Sequence, residues 1–232
     1  MLLREDSGAV ICIGQASHAW VSGQLARAWA GVEPREEVCL AAEQHDVGMA
    51  QWDLAPALDP ETGRPQSFMQ MPLEVHLGLW TAAPERLFTQ SRHAALLVSM
   101  HGTALYERRD QSRMSDEEAD AVRAYLAGQR ALQRELAEEV GADEEQLRRN
   151  QRLIWTWDWL SLALCLEWAP ASLDELTLGE DGTLDPWPFV HDAVEVRCEG
   201  RRLAGRYDDE AALHAALDRA PRVELRFALR PR

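Results

Sequence analysis

The segment Leu153-Ile154-Trp155-Thr156-Trp157-Asp158-Trp159-Leu160-Ser161-Leu162 is too apolar to lie anywhere but in an interior, yet a carboxylate sits at its centre. An isolated buried carboxylate costs several kcal/mol even after relaxation. Any fold of this chain must therefore bring a metal, a cationic partner or a proton to Asp158. At helical spacing Gln151, Asp158, Ser161 and Cys165 fall near one stripe, so the interior they face is partly polar. A structural ion pair with arginine meets the same requirement, since arginine is plentiful here.

The other polar residues of interest also fall on apolar helical patterns. A short β-like run, Ala9 to Ile13, leads into a helix over about 17–30, in which His18, Ser22, Leu25 and Trp29 share a face. Pro34 opens a second helix with Val38, Ala41 and His45 on one side and Gly48 near its end. Residues 51–72, with five prolines and glycines, read as an ordered loop or lid. Helices resume at 73–82, carrying His76, and at 91–109, carrying His101. Ser115 followed by three acids caps a charged surface helix to about Val140, and the helix bearing Asp158 runs over 143–168. Beyond it, Ala193–Cys198 and Val223–Leu229 alternate like strands around a short helix at 208–217. The expected architecture is thus mainly α: a helical domain over 1–170 with a small α+β extension over 171–232 packed on it.

Composition removes several chemistries. All 24 basic residues are arginine, so Schiff-base, pyridoxal-phosphate and Walker-type lysine chemistry is excluded. With 39 acidic residues and a net charge of −15, the chain lacks the basic footprint needed to grip nucleic acid or an anionic membrane surface. Four scattered cysteines and no apolar run of membrane-spanning length lead to the expectation of a cytoplasmic protein with reduced thiols.

Taken singly, His76 reads as a core histidine bonded to a carbonyl, and a His-Asp dipeptide carries little information. Taken together, the order His18, His45-Asp46, His76, His101, Asp158 across five helices resembles the HD-domain superfamily of metal-dependent phosphohydrolases. The string His45-Asp46-Val47-Gly48 is similar to that superfamily's His-Asp-x-Gly signature, although Met49 stands where many members carry Lys or His. Within the superfamily the chain resembles a bacterial family known only as a domain of unknown function. The resemblance implies an HD-like helical bundle holding one or two divalent transition-metal ions (Fe, Mn, Ni, Co or Zn). His18, His45, Asp46 and Asp158 would hold the first ion; Asp46 would bridge to a second held by His76 and His101. It further implies hydrolysis of a phosphate ester on a small anionic substrate. Arg64, and then Arg108 or Arg109, are the arginines proposed to clamp the phosphate. A di-iron oxygenase cleaving a C–C or C–P bond has the same ligand order, and a non-catalytic, metal-stabilised binding domain is a third reading. Residues 1–196 carry 15 arginines against 33 acids, so an anionic substrate entering this body needs bound cations or arginine to receive it.

Overall fold

Ser7 (φ 49°) and Gly8 (φ 85°) turn the chain back on itself at its start, joining strands β1 (Leu2–Asp6) and β2 (Ala9–Ile13) in a tight hairpin. The computed structural model describes residues 1–232, with the side chain of Gln111 left aside. Helix α1 (Gln15–Ala28) leaves β2 after a single residue, and α2 (Arg35–Gln44) follows. A 3₁₀ turn (Val47–Met49) and the short α3 (Ala50–Leu54) lead to a two-residue ladder between β3 (Leu58–Asp59) and β4 (Arg64–Pro65). Then come α4 (Leu73–Ala82), α5 (Arg92–Glu107), α6 (Asp116–Val140) and α7 (Glu144–Cys165).

The helix starts are set by side chains that satisfy free backbone N–H groups. Ser91 accepts from Ala94 N–H, and Asp143 accepts from Gln146 N–H. Ser115 and Glu118 form a reciprocal capping box, and Gly141 ends α6 in the left-handed conformation.

The remainder of the chain is β5 (Ala171–Leu173), β6 (Leu176–Leu178), β7 (Thr183–Asp185), β8 (Val194–Ala204), α8 (Glu210–Arg219) and β9 (Arg222–Pro231). These strands join the N-terminal hairpin in one seven-stranded sheet of order β1-β2-β8-β9-β7-β6-β5, antiparallel except for the β7–β9 pair. Strand β2 is buried on both faces. Ile11 and Ile13 enter the main core with α1, α2, α5 and α7, while Val10 and Cys12 pack with Leu203, Leu213 and Leu217 beneath α8.

The expectation of a mainly α, HD-like bundle with a small α+β extension is therefore corrected: the molecule is α+β, and its sheet draws strands from both ends of the chain. The description all-α falls with it. Three physical reasons account for the difference. Leu2–Asp6 is a charged edge strand with no alternation over its second half. Strands β5, β6 and β7 have three residues each, too few to show a period of two. Strand β8 continues past Cys198 through Arg201 and Arg202, where the burial pattern changes phase and Leu203 turns to the opposite face. None of the described helices is long and apolar enough to cross a membrane.

Candidate metal centre

Helix α1 brings His18 and Ser22, one turn apart, against α7. Ser22 Oγ lies 3.1 Å from the Trp157 carbonyl oxygen and 2.9 Å from Ser161 Oγ. Ser161 Oγ in turn lies 2.9 Å from His18 Nδ1 and 2.8 Å from the Asp158 carbonyl oxygen. The two hydroxyls can reverse their donors without moving. When Ser22 donates to Ser161 and Ser161 to His18 Nδ1, the ring proton sits on Nε2, 2.6 Å from Asp46 Oδ2. When His18 Nδ1–H donates to Ser161, Ser161 to the Asp158 carbonyl and Ser22 to the Trp157 carbonyl, Nε2 presents a lone pair. The same partners thus hold the ring in a proton-bearing and a metal-binding tautomer.

His45 ends α2. Its Nδ1–H donates to the Ala42 carbonyl at 2.8 Å, which aims Nε2 inward, where it is buried and has no hydrogen-bond partner among the described residues. Asp46 leaves the helix at φ −100°, ψ 19°, and the 3₁₀ turn that follows packs hard on α4. A Cβ on Gly48 would lie 2.5 Å from the Leu79 carbonyl oxygen, so glycine is what allows this approach. On α5 His101 is buried and followed by Gly102, whose Cβ would lie 2.5 Å from the Tyr125 hydroxyl and 2.7 Å from the Trp80 ring.

Asp158 joins these groups. Its Oδ1 is 3.4 Å from His45 Nε2 and 3.9 Å from His18 Nδ1, and its Oδ2 is 3.4 Å from His101 Nε2. His45 Nε2 is also 3.6 Å from Asp46 Oδ2. One ligand atom each from His18, His45 and Asp158 lie within 4.8 Å of one another. Burial alone would lower the pKa of His45, but the nearby Asp46 and Asp158 carboxylates, together with the bond to the Ala42 carbonyl, overcome it and raise the imidazole to about 9. Burial likewise opposes ionisation of Asp158, yet His45 and His101 hold it well below the usual carboxylate range. Asp46 is lowered in the same way, against burial, by His45 and His18. The cluster is thus two ionised carboxylates facing the imidazoles of His18, His45 and His101, a donor set that divalent transition metals accept.

Of the six residues picked out as ligands, five meet: His18, His45, Asp46, His101 and Asp158. His101 stands with Asp158 rather than at a separate second position. His76 stands aside, with both ring nitrogens engaged: Nδ1 bonds the Tyr106 hydroxyl, and Nε2 accepts from Trp80 Nε1–H at 3.1 Å. Burial, opposed by Asp46 and aided by Arg109, takes its pKa down to about 4 and leaves it neutral. Arg64 lies on β4 and pairs with Glu5 at 2.7 Å, and Arg108 stacks over Trp155 with its guanidinium carbon 4.1 Å from the ring centroid.

The cluster opens into a cavity of about 300 Å³. Gln15, His18, Asp46, His76, His101 and Asp158 give it polar lining, Phe68, Met71, Leu105 and Leu162 apolar lining, and Arg109 also lines it. Two polar residues of the site, Gln15 in the cavity and Ser22 behind His18, were not picked out as site residues from the sequence. Gln15 is buried with its side-chain oxygen unpartnered, and its signal was its place one helical turn before His18. Ser22, buried four residues after His18, carried the matching signal on the other side.

Fold and site together define an α+β protein whose helices bury a His/Asp cluster at the foot of a small cavity. The chain belongs to the family described as "Protein of unknown function (DUF3891)", whose model matches residues 1–205. Helix α8 and strand β9 lie beyond the matched stretch. No curated protein and no solved structure matches the chain.

Proposed function

We propose that this protein is a metal-dependent hydrolase of a phosphate ester, with a single divalent transition-metal ion held by His18, His45 and Asp158, and Asp46 and His101 beside it. The observation that carries the reading is His45 Nε2: a buried, unpartnered ligand atom, locked inward by the Ala42 carbonyl and facing two carboxylates. The order of these residues along the chain, similar to that of the HD-domain superfamily, supports the same chemistry.

An ion bound there would supply Lewis acidity and a water of lowered pKa. The chain's own contribution is orientation and proton handling. Asp158 is tied to three histidines and holds them in register. Asp46 accepts from His18 Nε2 when that nitrogen bears the ring proton, and the Ser161–Ser22 pair satisfies Nδ1 in either tautomer. The apolar side formed by Phe68, Met71, Leu105 and Leu162 keeps bulk water from the cluster. A dinuclear oxygenase needs a second ligand set, and His76, its expected histidine, is engaged by Tyr106 and Trp80.

The test is metal content together with turnover. Protein prepared without chelator should hold about one ion per chain, and Mn-, Ni- or Co-loaded protein should release nitrophenol from p-nitrophenyl phosphate or its bis-ester. Asp158→Ala should abolish both. A folded wild-type protein that takes up no ion overturns the proposal, and so does a variant that retains full occupancy.

A further inference from the structure

The structure assigns to Arg109 the role of anion receptor in the cavity, and to the ligand the form of a small organic anion with an apolar body. This deepens the hydrolase reading and rests on it in taking the cavity as the substrate site and the anion as a phosphate.

Arginines in this protein are mostly spent. Arg108 stacks on Trp155, Arg113 lies near Asp110, and Arg130 pairs with Glu107. Around the sheet, Arg64, Arg202 and Arg230 are paired with Glu5, Asp6 and Asp181. Among the described residues no carboxylate lies within ion-pair distance of Arg109, although the chain carries 39 acids. It is the single arginine that lines the cavity of the His/Asp cluster. Arg109 stands two residues past the end of α5, the helix that carries His101, and is exposed to solvent where it lines the mouth of the cavity.

Charge explains why such a residue is needed. Two ionised carboxylates lining the cavity repel an entering anion, and an ion of charge +2 only cancels them. Arg109 is then the positive charge left over for the ligand. The remaining surface specifies the rest of it. Phe68, Met71, Leu105 and Leu162 offer hydrocarbon, and the indole N–H of Trp80 is already given to His76. At about 300 Å³ the space lies at the small end of ligand cavities, room for one compact group. The ligand chemistry that fits is a compact phosphate or phosphonate carrying an aromatic or aliphatic group.

The experiment uses the full chain, metal-free and Mn-loaded, titrated with phenylphosphonate, methylphosphonate and benzyl alcohol and read by calorimetry. Wild type should bind phenylphosphonate at least tenfold more tightly than methylphosphonate, and benzyl alcohol weakly or not at all. Arg109→Gln should weaken phenylphosphonate by about tenfold or more, as expected for loss of a charge-assisted pair, while Arg109→Lys recovers part of it. Unchanged melting temperatures for both variants show that the fold is intact. Phenylphosphonate affinity within twofold of wild type in Arg109→Gln overturns the assignment, as does equal binding of the methyl and phenyl compounds. Metal uptake and nitrophenol release are scored separately. If they fail while binding to metal-free protein still depends on Arg109, the hydrolase reading falls and the receptor assignment stands. If turnover is present and Arg109→Gln is without effect on binding, the reverse holds.

Discussion

Metal binding at this cluster should be paid in protons. In the metal-free protein His45 carries a proton up to about pH 9, because Asp46 and Asp158 face it across 3.6 and 3.4 Å in a buried site. An ion must displace that proton to reach Nε2. Asp46 and Asp158 are already ionised and add no dependence of their own. The apparent Kd for Mn²⁺ should therefore fall about tenfold, or about 1.4 kcal/mol, per unit of pH across 7 to 8.5. Calorimetry in two buffers of different ionisation enthalpy should show about one proton released per ion bound over the same range. The stability of the metal-free protein gives an independent check. A folded pKa of about 9 above the ordinary 6.5 means stabilisation fully present below about pH 6.5 and lost as pH rises through about 9. At most it amounts to about 3–4 kcal/mol. The melting temperature of metal-free protein should fall over that interval, and that of Mn-loaded protein should not. A Kd that is flat from pH 7 to 8.5, with no buffer-dependent heat, refutes the protonated His45 and the reasoning built on it.

Three further outcomes follow from the same geometry. His76→Phe should leave metal stoichiometry unchanged while lowering stability by about 1–2 kcal/mol, since the Tyr106 hydroxyl and Trp80 N–H lose their partner; atomic absorption and thermal melts decide it, and loss of the ion would make His76 a ligand. Ser161→Ala removes the hydroxyl that serves both tautomers of His18 and should weaken metal affinity by about 10- to 100-fold with the fold retained; unchanged affinity would make the hydroxyl pair irrelevant to the site. Gly48→Ala places a methyl 2.5 Å from the Leu79 carbonyl oxygen and should cost about 1–3 kcal/mol in denaturant unfolding; a neutral effect would show that the 3₁₀ turn moves freely off α4.

The helices were legible in the sequence, and so was most of the cluster, for one reason: both depend on local spacing. Asp158 declared itself because a carboxylate among tryptophans is costly, and His18, His45 and His101 lay on apolar faces with the right phase. The sheet was hidden because its evidence is not local. Leu2–Asp6 becomes a strand by pairing with Ala9–Ile13, and Thr183–Asp185 by lying beside β9, and neither reads as a strand alone. The position of His76 was likewise out of reach. Its helix and phase were right, but Tyr106 and Trp80 occupy its nitrogens, and that depends on how α4 and α5 sit together. For the arginines, spacing says nothing about pairing. Arg64 went to Glu5, and Arg109, one residue beyond Arg108, was left facing the cavity.

The pairing of β2 with β8 sets an order on assembly. Ala9 to Ile13 face Ala204 to Gly200 across the ladder, so the second strand made by the ribosome must wait for one of the last. Until then the face of β2 that packs beneath α8 lacks its cover, and the loop to be closed spans most of the chain, a topology that folds slowly. His18 stands one turn into the helix that leaves β2. That helix packs on α2 and α7 as well as on β8, so its seat is complete only after translation has passed β8. A nascent chain can form the helices that carry His45, His101 and Asp158 earlier than it can complete the site, so uptake of the proposed ion would be a late event and a reporter of finished folding.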